Sequence, residues 1–190
     1  ARLAQVFDID CDPHEVARAL GALVRNPGLR VPGTFDGFEA AVRAILGQQV
    51  TVRAAHTIAG RFAAAFGTPV DGPYGVSVAF PSPGDIARLD PVQIAELGVV
   101  MQRARAIVAM AQALSDGRLV LNPDVQTDAS IEALQGIPGI GPWTAQYIAM
   151  RALGWPDAFP HTDLGVMKAL GERNPRRVLA IAEAWRPWRA

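Results

Sequence analysis

The sequence predicts an all-α fold of two helical lobes, and three observations carry that reading. Apolar residues recur at three and four spacing in one segment after another, and no convincing strand appears. Half of the 190 residues are hydrophobic and 19% are charged, which gives a buried core and excludes a disordered or solvating chain. The stretch 134–163, LQGIPGIGPWTAQYIAMRALGWPDAFPHTD, reads as helix, tight hairpin, helix.

In chain order, residues 1–12 show short apolar alternation around Val6, Phe7 and Ile9 and are expected to be the tail of a preceding element. The chain begins with alanine and is expected to be a fragment or a processed product. Asp12 and Pro13 open a helix as cap and first-turn proline, with Val16, Leu20, Leu23 and Val24 on its buried stripe. Asn26-Pro27-Gly28 ends it.

Thr34-Phe35-Asp36 starts the next helix, in which Phe38, Val42, Ile45, Leu46 and Gln49 recur at helical spacing through Gly47. Thr51 caps another, with Ala55, Ile58, Ala59, Phe62 and Phe66 repeating. The span 67–83 is rich in glycine and proline and is expected to be a long loop.

Short helices are expected at 85–89 and 91–96, and a longer one at 102–115. Arg103, Arg105 and Arg118 cluster near it, more as a solvated face than as DNA contacts. Residues 128–135, capped by Asp128, form the first helix of the hairpin pair. Pro138-Gly139-Ile140-Gly141 breaks the helical run, because proline lacks a donor and glycine tolerates positive φ. Pro142 suits the first position of the second helix, which runs to Arg151. Helices follow at 164–170 and 175–185.

A glycine hairpin feeding a helix start leaves backbone amides facing outward at the positive end of the helix dipole, a setting suited to one phosphate. Trp143 and Tyr147, four residues apart, share one face of that helix, and Asp163 stands twenty residues after Trp143. Lys+Arg and Asp+Glu number 18 each, so there is no overall basic field and any nucleic-acid contact must be local. The single Cys11 excludes an intrachain disulfide and a four-cysteine iron–sulfur cluster and suits a reducing cytoplasm. No apolar run approaches the roughly 18 residues of a membrane span. His14, His56 and His161 are too scattered for zinc.

The hairpin and the aspartate that follows it resemble the signature of the helix-hairpin-helix DNA glycosylase superfamily, and within it the alkylation-repair branch. FEAAVRAILGQQVTV at 38–52 and EAWRPWR at 183–189 are similar to that branch as well, so the likeness covers most of the chain. It implies residues 1–33 leading from an upstream domain and 34–155 as a central lobe with the hairpin pair at 129–151. It further implies 156–190 as part of a second lobe that continues past the C-terminus given.

The resemblance also assigns roles. Asp163 is the implied catalytic carboxylate, compatible with a helix N-cap. Trp143 and Tyr147 are the implied base pocket, although large aromatics on a helix more often belong to the core. Gln49 takes the position of a wedge that fills the gap left by an extruded nucleotide, where the branch often has an apolar residue. Gly139, Ile140, Gly141 and Thr144 are implied DNA contacts, and the carbonyls of Gln135, Ile137 and Ile140 an implied site for sodium or potassium.

Trp143 stands where lyase-competent relatives place a Schiff-base lysine, and Lys168, the only lysine, matches no such position. The implied activity is therefore monofunctional hydrolysis of the N-glycosidic bond of alkylated purines in duplex DNA, by a monomer needing no cofactor. Two alternatives stay open at this point: a non-catalytic helix-hairpin-helix DNA-binding module, and a helical protein-interaction domain.

Overall fold

A computed structural model describes residues 2–123 and 127–190. Eleven α-helices are seen among them: α1 Arg2–Val6, α2 Pro13–Leu20, α3 Gly37–Leu46, α4 Val52–Phe66, α5 Pro83–Ile86, α6 Pro91–Ala95, α7 Met101–Ser115, α8 Thr127–Gln135, α9 Pro142–Ala152, α10 Leu164–Leu170 and α11 Pro175–Ala182. Short 3₁₀ turns follow α2 at Gly21–Leu23 and α11 at Glu183–Trp185.

The caps explain where the helices begin. Asp12, Asp36 and Thr51 each accept an amide from the first turn of α2, α3 and α4, satisfying donors that no helical carbonyl reaches. Ser82 and Asp90 start α5 and α6 with reciprocal capping boxes. Asp128 is not a cap: α8 begins at Thr127, which leaves Asp128 inside the first turn, where a carboxylate suits the helix dipole.

The main core lies where α3, α7 and α9 meet, with Ile45, Ile107, Met110 and Ile148 fully buried. Burying each such side chain contributes about 1.5–3 kcal/mol. Alanines 41, 44, 104, 106, 145 and 149 lie buried on the same three helices, and their small side chains let the backbones approach. A second, smaller core gathers Phe159, Val178 and Ala182 with Val166, Met167, Leu170 and Trp185.

The C-terminal segment is tied down by charge. Asp157, buried, accepts bonds at 2.6 and 2.7 Å from the equally buried Arg189 guanidinium, and Arg186 also donates to it. Phe159 meets the edge of Trp185 with ring centroids 6.1 Å apart.

Residues 2–6 form a helix, held against α9 by the bond from the Gln5 amide to the Ala152 carbonyl at 3.2 Å. Two expectations are corrected. The stripe of α2 is not buried: Leu23 is 55% exposed, and Val16, Leu20 and Val24 line an open groove with Trp155 and Trp188. Within the loop at 67–83, Thr68–Pro69 (β1) and Val78–Ala79 (β2) pair antiparallel, with Thr68 opposite Ala79. Strands of two residues carry no readable alternation, which is why the sequence showed only a loop.

Candidate functional site

The hairpin between α8 and α9 closes through the Ile140 amide donating to the Ile137 carbonyl at 3.0 Å. Gly139 adopts φ +98°, and a Cβ there would stand 3.1 Å from the Ala106 Cβ, so glycine is needed both for conformation and for space. Ile140 is buried as the anchor of the turn, whereas Gly141 is exposed and a Cβ on it would meet nothing within 4 Å. Gly141 is also the N-cap of α9, and among the described residues no side chain caps it. The first-turn amides of α9 therefore have no capping side chain among the described residues.

Gln48, half-buried in the turn after α3, braces this hairpin from below. Its amide donates to the Gly139 carbonyl at 3.1 Å and to the Thr144 hydroxyl at 2.9 Å. The Thr144 side chain is thus buried and engaged with Gln48. Gln48 itself escaped the sequence reading; a polar residue closing an apolar stripe was the available signal. Gln49 lies outside the helix to which its spacing assigned it, because α3 ends at Leu46. It is exposed with φ +51°, a left-handed conformation costly for a residue with a Cβ.

Asp163 is the N-cap of α10. One carboxylate oxygen accepts the amides of Gly165 and Val166 at 2.7 and 3.1 Å, and the other accepts the indole N–H of Trp143 at 2.8 Å. Both oxygens are thus held by N–H donors, which fixes the orientation of the carboxylate. The approach to α10 is fixed too, since the Phe159 amide donates to the Gln146 side chain on α9 at 2.9 Å. The Asp163 amide closes the turn onto the Pro160 carbonyl at 2.8 Å.

Trp143 and Tyr147 stack along α9 with centroids 5.3 Å apart and an interplanar angle of 16°. The Arg151 guanidinium lies 5.7 Å from the Tyr147 centroid, extending the stack by another turn. Both aromatics, half-buried, line a cavity of about 600 Å³ shared with Phe35, Arg43 and Val52. That volume is in the range of small-molecule pockets. Asp163 is not part of its lining; it borders the cavity through the Trp143 indole.

The structure thus joins Asp163, Trp143 and Tyr147 directly, with the hairpin at the start of the same helix. The Gln135 backbone lies at the end of α8, and Ile137 and Ile140 are buried within the turn. Arg118 pairs with Asp116 and is exposed, in keeping with a solvated face. His161, half-buried, donates its amide to Phe159. Among the described residues no helix is long and apolar enough to cross a membrane.

Residues 42–176 match the family model described as HhH-GPD superfamily base excision DNA repair protein. The whole chain is similar to the probable bifunctional transcriptional activator/DNA repair enzyme AlkA of Mycobacterium tuberculosis, at 44% identity, and spans 40% of that protein's length. It is 37% identical to DNA-3-methyladenine glycosylase 2 of Escherichia coli, covering 67% of it. Among solved structures, the 3-methyladenine DNA glycosylase from Archaeoglobus fulgidus shares the fold over all of this chain and 69% of its own, with a TM-score of 0.81 and 24% identity. The chain belongs to the HhH-GPD superfamily of base excision DNA repair proteins.

Proposed function

We propose that the protein is a monofunctional DNA glycosylase that hydrolyses the N-glycosidic bond of alkylated purines in duplex DNA. The observation that carries this is the doubly held Asp163 carboxylate beside an aromatic cavity. Relatives named as 3-methyladenine glycosylases support the substrate class.

A target base lies inside the stack, so the nucleotide must be extruded, at a cost of a few kcal/mol. Gln49, exposed at the tip of its turn, would fill the gap. The amides of Gly139 and Gly141 and those at the start of α9 would hold a phosphate, with Ile140, whose own amide closes the turn, setting their position and Thr144 contributing at most its backbone. The carbonyls of Gln135, Ile137 and Ile140 are neutral oxygen donors on a tight turn, a set that suits sodium or potassium. Such an ion would add positive charge beside the phosphate.

Alkylation at N3 or N7 makes the purine cationic, which favours contact with the faces of electron-rich rings such as Trp143. It also lets the base leave without a protein acid. The glycosidic bond breaks with its electron pair going to the base nitrogen, and the base departs neutral. The cation left on the sugar is stabilised by the Asp163 carboxylate; water adds to the sugar carbon and gives up a proton. Lyase chemistry needs an amine at this point, and the position holds Trp143, whose N–H is engaged with Asp163. The only lysine, Lys168, is an exposed residue of α10.

We read the active form as a cytoplasmic monomer acting on double-stranded DNA, with 34–155 and 156–190 as the two lobes that meet at Asp163. Incubation with methylated duplex DNA tests the activity. Free 3-methyladenine or 7-methylguanine, without strand scission, is the expected product. No released base, or strand scission without added base, contradicts it.

A further inference from the structure

Phe35 is 58% exposed, yet the short loop that carries it is fixed from both sides. The Arg151 guanidinium donates to the Pro32 carbonyl at 2.7 Å, and the Gly33 amide donates to the Val6 carbonyl at 3.0 Å. A Cβ on Gly33 would lie 2.6 Å from the Gln5 carbonyl oxygen, so the backbone there is pressed against α1. Thr34 donates its hydroxyl to the Asp36 carbonyl at 3.1 Å, and Asp36 in turn caps α3. An apolar ring is thus held in the open by a loop with little freedom to fold it away.

The same loop is coupled to the aromatic stack. Arg151 both holds the Pro32 carbonyl and lies 5.7 Å from the Tyr147 ring, and Phe35 lines one cavity with Trp143 and Tyr147. Tyr147 has Trp143 one helical turn before it and Arg151 one turn after, so neighbours flank its ring on both sides. Among the aromatics that line that cavity Phe35 is the exposed one, and it offers a flat ligand a ring surface besides that of Trp143.

Resting on the base-releasing reading above, we propose that Phe35 is a specificity-determining residue whose ring meets the extruded purine in the cavity shared with Trp143. A phenyl ring has no hydrogen-bonding group. It selects for a flat, electron-poor base without reading the exocyclic substituents.

Single-turnover release of 7-methylguanine from a defined duplex, with Phe35→Ala, Phe35→Leu and Phe35→Tyr compared in the intact protein, tests this. Loss of an aromatic contact corresponds to a rate loss of about three- to tenfold. The alanine and leucine variants are expected to lose that much, the tyrosine variant to keep the rate, and all three to bind undamaged duplex as before. The leucine and tyrosine pair decides the matter if the alanine variant does not fold. Full release by the leucine variant, or an equal loss of affinity for undamaged duplex, overturns the assignment of Phe35 alone. A wild-type protein that releases no base overturns the base-releasing reading and this proposal with it.

Discussion

The indole N–H of Trp143 donates to Asp163 across 2.8 Å, joining the first turn of α9 to the N-cap of α10. Twenty residues separate the two in sequence, and a loop anchored by Gln146 brings them together. One side chain therefore both lines the cavity and holds the carboxylate.

Trp143→Phe keeps an aromatic ring on Tyr147 and removes the donor. A hydrogen bond to a charged group is worth about 1.5–3 kcal/mol, so base release is expected to slow roughly 10- to 100-fold. The loss should fall on the single-turnover rate and leave affinity for undamaged duplex within about twofold. An unchanged rate would mean that the indole does not position Asp163.

The two hairpin glycines are expected to separate stability from binding. Gly139→Ala places a Cβ at φ +98° against Ala106, and the left-handed conformation alone costs about 1–2 kcal/mol. A lower midpoint in urea unfolding checks this. Gly141→Ala meets nothing within 4 Å, so its stability should match the wild type while duplex affinity falls. Wild-type affinity in that variant would remove the phosphate from the hairpin.

Asp157→Asn removes the charge that Arg189 and Arg186 share. The Arg189 side chain is only 5% exposed and would keep only Glu183, at 3.6 Å, so the cost approaches the roughly 3–5 kcal/mol of a broken buried pair. Thermal unfolding should shift down markedly, whereas a shift within error would mean that the pair contributes little to holding residues 183–190.

Much of this architecture could be read locally. Asp12, Asp36 and Thr51 announced their helices because capping depends on the next three residues alone. The hairpin was readable for the same reason: proline and glycine dictate the break whatever lies around it. What escaped depends on distant partners. Gln48 reaches Gly139 across 91 positions, and its neighbour Gln49 drew the attention instead. Phe35 passed as the start of a helix, since only the packing of its loop against α1 and α9 brings it to the cavity. Asp157 with Arg186 and Arg189 was hidden likewise, the ion pairs spanning 29 and 32 positions. Leu23 failed in the other direction: its periodicity is sound, but the stripe it belongs to faces an open groove.

The most direct test is Asp163→Asn in the intact protein. Asparagine remains a good N-cap through its carbonyl oxygen, although its NH2 cannot accept the Trp143 N–H, so the melting temperature should fall only modestly and the affinity for undamaged duplex should stay near wild type. The account predicts that release of 3-methyladenine and 7-methylguanine from methylated duplex DNA falls by at least two orders of magnitude. Release at the wild-type rate by the folded variant would contradict it.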